Sequence, residues 1–145
     1  MSVHQQAEQE RENGNFIKAL KLYEEAIVRY QNEKNYQGIV DALQGRFLTY
    51  KHLFWQTNDT VFAQIGRMSA QLSLQIAQQK KLPLAFCYFS LGEAAMLFVD
   101  FEKAADDFQQ AINSYGDGPH IGDLHYHLAK LSTAQAEKPK VKVIC

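Results

Sequence analysis

The stretch Tyr88–Ala111 reads YFSLGEAAMLFVDFEKAADDFQQA and decides the fold. Apolar residues recur in it every three or four positions, first before and then after a short break near residues 99–101. The first set comprises Tyr88, Leu91, Ala95 and Phe98, and the second, which runs one residue further, comprises Phe101, Ala104, Phe108, Ala111 and Ile112. Residues at this spacing share one face of a helix. Because the alanines let two backbones approach closely, the pattern predicts a tightly packed antiparallel helix hairpin.

The second half of this pattern also occurs near the N-terminus, which indicates an internal repeat. Each member of the set Phe16, Ala19, Tyr23, Ala26 and Ile27 stands 85 positions before its counterpart in Phe101, Ala104, Phe108, Ala111 and Ile112. That separation predicts two units of about 42 residues each, and therefore a further copy in the middle of the chain. Ala63 and Ala70 keep the small residues of this middle copy, and Arg67 takes the place of the aromatic residue.

Breaks in the apolar pattern predict where the helices end. Gly14 suits the left-handed conformation that closes a helix, and Asn15 suits the cap of the helix that follows. In the middle unit, the first helix is predicted from about Tyr36 to Gln56 and the second from about Asp59 to Gln79.

These residues resemble the tetratricopeptide repeat (TPR), whose signature combines an aromatic residue, Leu-Gly, and alanine four positions before a further aromatic. The match is strongest at residues 16–27 and 88–112 and weakest at 36–70. The resemblance implies an all-α superhelix of about three helix hairpins. A C-terminal capping helix, marked by Leu124, Leu128 and Leu131, is expected to close a repeat domain spanning residues 1–135. Residues 136–145 are expected to form a flexible tail.

The resemblance also implies a non-catalytic scaffold that binds a partner protein or peptide in a groove lined by the first helix of each hairpin. The residues expected to line this groove are Trp55, Phe89, Glu93, Leu97, Tyr126 and Lys130. An aromatic groove with one acid suits an apolar or basic partner segment. The helix around Phe89 is apolar nearly all round, which leaves two alternatives open. It is either buried between its neighbours or it lines the groove with Phe89, Glu93 and Leu97. An alternative function is self-association, in which the same apolar surface pairs two copies of the chain as a homodimer.

Composition excludes several classes of protein. The formal net charge of −1 provides no overall attraction to nucleic acid or to an anionic membrane. Because the sequence contains neither an N-terminal apolar run nor an apolar stretch of about 18 residues, we expect neither a secretory signal nor a membrane span, and a cytoplasmic location by default. Cys87 and Cys145 are too few for a disulfide framework, and Cys87 is expected to be a small buried apolar residue.

No motif predicts an enzyme or a cofactor. The sequence lacks a glycine-rich phosphate loop, a Gly-x-Ser-x-Gly motif and a Cys-x2-Cys motif. His120, Asp123 and His127 lie three and four positions apart, so a helix would place them on one face as a conceivable metal site. A solvent-facing polar stripe is the commoner explanation of such spacing.

Overall fold

The computed structural model describes residues 1–115 and Tyr126, and the residues it describes form helices without any strand. The helices are α1 (Val3–Glu12), α2 (Phe16–Asn32), α3 (Tyr36–Thr57), α4 (Thr60–Gln79), α5 (Ala85–Leu97) and α6 (Phe101–Tyr115). The predicted all-α fold is confirmed, and the predicted boundaries of α3 and α4 are correct to within one residue. The predicted capping helix and the tail at 136–145 lie outside the described residues.

The chain divides into two compact units, which are Met1–Pro83 and Leu84–Cys145. In the first unit α1 packs against α2, α2 against α3, and α3 against α4. In the second unit α5 packs against α6. Since the connections within each unit are only a few residues long, successive helices of the same unit run antiparallel.

A residue with positive φ stands in each connection between these helices. They are Gly14, Lys34, Asn58, Lys81 and Val99. In four connections the next amide donates a hydrogen bond to the carbonyl five residues earlier, as from Asn15 to Glu10 and from Asp100 to Ala95. This is the Schellman ending of a helix. The prediction for Gly14 is therefore confirmed. Asn15 does stand at the start of α2, but its side-chain amide donates to Glu10 and makes no capping bond to α2.

Val99 is strained by its position, because it is β-branched and has a φ of 57°. The left-handed conformation costs an L-residue roughly 1–2 kcal/mol, against roughly 0.5–1 kcal/mol for the extra freedom that glycine loses on folding. We therefore expect Val99→Gly to stabilise the chain by up to about 1 kcal/mol. The reciprocal control is Gly14→Val, since a Cβ at Gly14 meets nothing within 4 Å. It should destabilise the chain by a similar amount in urea unfolding. A destabilised Val99→Gly protein would contradict this prediction.

The repeated small-and-aromatic pattern forms the core of both units. Tyr23 is fully buried against Gly45 of α3, where an added Cβ would lie 2.5 Å from the tyrosine ring. Phe108 lies against Gly92 of α5 in the same way, at 2.6 Å. The alanines of the two matched sets, Ala19, Ala26, Ala104 and Ala111, are all buried. The close approach that the alanines predict is thus present, and glycines on the facing helices complete it.

The middle hairpin reverses this arrangement. Ala63 and Ala70 of α4 are buried as predicted, but the buried ring comes from Phe47 of α3 and the glycine is Gly66 of α4. A Cβ on Gly66 would lie 3.4 Å from the Phe47 ring. The buried residues of α4 are consequently all small: Ala63, Gly66, Ser69, Ala70, Ser73 and Ala77. The repeat pattern predicts an aromatic residue at the position of Arg67 on α4. In the structure, the buried aromatic residue of this hairpin is instead on α3.

Candidate binding surface

Trp55 stands on the last turns of α3 and exposes 59% of its surface. Leu53, two positions earlier on the helix, is buried, so the helical turn directs Trp55 outward. An indole offers one of the largest apolar areas of any side chain, and leaving it in water forgoes a substantial gain in folding free energy. An exposed tryptophan is therefore more informative than an exposed leucine or valine.

Two neighbouring rings hold the indole in place. The imidazole of His52 meets the Trp55 ring edge-on, with 5.2 Å between ring centroids and 89° between planes. On its other side, His52 stacks on Phe16 at 5.5 Å with an interplanar angle of 4°. Phe16 is the first residue of α2, so the ring series joins α2 to α3. Trp55 is thus exposed but positioned by a rigid support.

Lys51 adds a positive charge beside the indole. Its Nζ lies 5.0 Å from the centroid of the Trp55 ring and 6.0 Å from that of Phe47, within the range of cation–π attraction. Its side chain is buried, so the ammonium group is held close to the rings. We refer to Phe16, Lys51, His52 and Trp55 together as the Trp55 surface.

The sequence around this surface is cationic although the whole chain is weakly acidic. Residues 42–92 contain five lysines and arginines but a single acid, Asp59, which gives a net charge of +4 against −1 for the chain. Arg46 of this segment pairs with Glu24 of α2, and Lys80 lies 4.2 Å from the ring of Tyr36. Along the sequence, Trp55 therefore lies in a positively charged segment.

The other predicted groove residues lie in the second unit. Phe89, Glu93 and Leu97 follow one another at four-residue spacing on α5, and each is partly buried. Phe89 packs on the α5–α6 core, with its ring 5.6 Å from that of Phe108. Tyr126 exposes 61% of its surface, and Lys130 lies outside the described residues. The structure therefore describes Trp55 with neighbours of its own unit, and Phe89 as a contributor to the core of the other.

The sequence prediction missed Phe16, Lys51 and His52 as members of the surface. Lys51 and His52 precede Trp55 by four and three positions, which is the spacing of side-chain neighbours on a helix, and this signal was available. Phe16 was interpreted only as part of the repeated core pattern. Its stacking on His52 depends on how α2 packs against α3, which no local spacing reports.

Apart from the Trp55 surface, a network of hydrogen-bonded polar side chains joins α1 to α2. Nδ1 of His4 lies 2.9 Å from Oη of Tyr30, and Nε2 of His4 lies 3.2 Å from the Glu8 carboxylate. Arg11 pairs with Glu8 and donates a 3.0 Å hydrogen bond from Nε to Oη of Tyr23. Burial raises the pKa of Glu8, but the bonds from His4 and Arg11 outweigh it and lower that pKa to about 2. This network fixes the packing of α1 on the buried Tyr23.

The lowered pKa of Glu8 predicts a loss of stability in acid. A carboxylate whose folded pKa lies below its usual 4.5 stabilises the fold above that pH, and this stabilisation disappears as the pH falls toward about 2. Because Glu8 is partly exposed, we expect a loss of only about 1–2 kcal/mol across this window after solvent screening. Glu8→Gln should remove this component in urea unfolding at stepped pH, whereas Glu12→Gln should not. Equal pH profiles for Glu8→Gln and the unchanged chain would contradict it.

Across residues 1–115 and Tyr126, no group of three or more His, Cys, Asp or Glu residues is placed to hold a metal ion. His120, Asp123 and His127 lie outside the described residues. Cys87 is buried as predicted. None of the helices α1–α6 has the length and apolar character needed to cross a bilayer.

No protein-family model, curated protein or solved structure matches this chain.

Proposed function

We propose that this chain is a non-catalytic scaffold that binds a partner protein through the Trp55 surface. The observation that carries the proposal is an indole that is exposed yet held in place by His52, Lys51 and Phe16. Tryptophan is among the residues that most often dominate binding energy at protein interfaces. A positioned side chain also loses little conformational freedom when a partner arrives, so more of its burial contributes to affinity.

The repeated helix hairpins support a scaffold of the TPR-like kind. The two matched sets of residues are buried alike, and paired helices present their outer side chains on a rigid support. Such an arrangement suits recognition by shape and apolar burial, without reacting groups. The proposed partner is therefore a protein or peptide, as the resemblance implies.

We further propose that the partner segment carries an acidic residue beside its apolar anchor. Lys51 and His52 flank the indole, and the surrounding sequence has a net charge of +4 over residues 42–92. The sequence-based prediction that the groove suits apolar or basic partner segments depended on Glu93, which belongs to the other unit. Burying an apolar anchor on Trp55 contributes on the order of 2–3 kcal/mol, and a neighbouring acid adds specificity and faster association.

Selection from a library of random short peptides displayed on phage tests this proposal. Peptides retained by the full chain should combine aromatic or aliphatic residues with Asp or Glu, and Trp55→Ala should weaken their binding at least tenfold, or about 1.4 kcal/mol. Because Trp55 is the only tryptophan of the chain, its fluorescence should report each binding event directly.

Val28→Ala is the matched control, since Val28 of α2 exposes 53% of its surface and lies outside the Trp55 surface. It should leave peptide binding unchanged. Selected peptides that bind the Trp55→Ala chain as well as the unchanged chain would refute this location of the site. A selection dominated by lysine and arginine would refute the proposed charge preference.

A further inference from the structure

Helix α4 exposes three large apolar residues, while its fully buried residues are all small. Its buried residues are alanine, glycine and serine, whereas Val61, Met68 and Leu72 expose 55%, 61% and 41% of their surfaces. At 100° per residue, these three lie within about 20° of one line, directly opposite buried Ala63 and Ala70. Ordinary amphipathic helices show the reverse, with large apolar residues facing the core.

Together with partly buried Ile65, these residues form a continuous line, which we call the α4 stripe: Val61, Ile65, Met68 and Leu72. Beside it lie Gln64, Gln71 and Gln75, which are exposed and uncharged. The charged residue within α4, Arg67, is turned about 100° away from Met68. The stripe itself is therefore apolar and uncharged, and its flank is polar, with the Arg67 guanidinium donating a 2.9 Å hydrogen bond to Oε1 of Gln64.

The spacing within the α4 stripe is the same read in either direction, since successive members lie four, three and four residues apart. If two such helices pack antiparallel about a two-fold axis, Val61 of one lies opposite Leu72 of the other, and Ile65 lies opposite Met68. A two-fold interface joins the same patch of both subunits, so a charge near its axis would face the same charge on the partner and be repelled by it. An uncharged, palindromic stripe meets both requirements of such an interface.

We infer that the α4 stripe is a self-association surface that pairs with the α4 stripe of a second copy of this chain. A 20-residue helix is about 30 Å long, so one helix pair buries less than the roughly 1,200 Å² typical of stable complexes. The expected dimer is therefore weak, with a dissociation constant on the order of 100 µM.

Sedimentation velocity of the full chain over about 10–500 µM tests this inference, since that range brackets the expected dissociation constant. The mean mass should rise toward that of a dimer with concentration, and Met68→Glu should hold the chain monomeric throughout. The matched control is Val28→Glu on α2, because Val28 is exposed to a similar extent, at 53%, but lies off the stripe. It should dimerise as the unchanged chain does.

A mixing experiment tests whether the α4 stripes of two copies pair with each other about a two-fold axis. In the antiparallel pair the two residues at position 68 lie about three residues, or roughly 4.5 Å, apart along the axis. Met68→Glu and Met68→Lys chains should therefore each stay monomeric alone but associate when mixed, because opposite charges then face each other. Mixed chains that remain monomeric would overturn the two-fold pairing.

Two further results would overturn the inference altogether. An unchanged chain that is monomeric at the highest concentration would show that the stripe does not self-associate. A Met68→Glu chain that melts at a lower temperature without any change in mass would show that another segment of the same chain covers the stripe. Trp55→Ala should dimerise normally, so failure of this inference is distinguishable from failure of the peptide-binding proposal.

Discussion

Replacing Phe47 with alanine should lower the free energy of unfolding of the first unit by about 3–5 kcal/mol. Phe47 of α3 is fully buried, and its ring lies over Gly66 of α4. The buried residues of α4 are too small to collapse into the resulting cavity, so the loss should lie toward the upper end of this range. Denaturant unfolding followed by Trp55 fluorescence measures it, because Trp55 belongs to the same helix.

Trp55→Ala is the natural control for this prediction. Its side chain is larger than that of Phe47 but mostly exposed, so its removal should cost less than about 1 kcal/mol. Since that variant lacks the fluorescent residue, far-ultraviolet circular dichroism must follow both proteins. A loss below 1 kcal/mol for Phe47→Ala would mean that the middle hairpin is not packed around this ring.

Replacing Gly45 or Gly92 with alanine should destabilise the chain, although alanine is the better helix former. The added Cβ would lie 2.5 Å from the ring of Tyr23 or 2.6 Å from that of Phe108, and both rings are buried. Overpacking of this kind costs roughly 1–3 kcal/mol and can exceed that range. Against it stands a gain of about 1 kcal/mol in helix propensity. We expect a net loss of about 2 kcal/mol for each variant.

Gly66→Ala provides the graded comparison. Its added Cβ would lie 3.2 Å from Cβ of Tyr50 and 3.4 Å from the Phe47 ring, so small shifts accommodate it. Its stability should change by less than that of Gly45→Ala or Gly92→Ala in denaturant unfolding. If all three alanine variants were equally stabilised, helix propensity alone would explain them, and the close ring-to-glycine packing would be wrong.

Much of the fold could be predicted because the information lies in local spacing. The alanine and aromatic positions of α2 and α6, the breaks near 13–15 and 57–59, and the left-handed Gly14 all follow from periodicity and residue type. Lys34, Lys81 and Val99 could not be predicted as left-handed residues, because neither lysine nor valine favours that conformation. Lys34 and Val99 adopt it in short connections between helices that pack on each other.

The sequence also did not show that, in the middle hairpin, α3 supplies the buried ring, Phe47, and α4 supplies the facing glycine, Gly66. A repeat pattern indicates that a small residue faces a large one, but it does not say which helix supplies which. At Arg67 the expected aromatic is missing, and only the contact between α3 and α4 shows its replacement. The outward α4 stripe was overlooked for a related reason, since its alanines and its large apolar residues both follow helical spacing.

The binding surface was predicted only in part. Trp55 could be selected from the sequence because a large apolar residue near a helix end exceeds what a thin repeat core needs. Its support by Phe16 depends on the packing of α2 against α3, and its positive setting depends on Lys51 being held against the rings. These contacts orient the exposed Trp55 side chain and place a positive charge beside it.

Quenching of Trp55 fluorescence by iodide and by caesium tests most directly whether this surface is exposed and cationic. The single tryptophan makes the signal specific to the site. Beside Lys51, the ratio of iodide to caesium quenching should exceed that of free N-acetyltryptophanamide at least about twofold, because a local positive potential concentrates anions. Lys51→Met should reduce that preference. Negligible quenching by both ions would show a covered indole, and stronger quenching by caesium would show an acidic setting; either result would contradict the proposed surface.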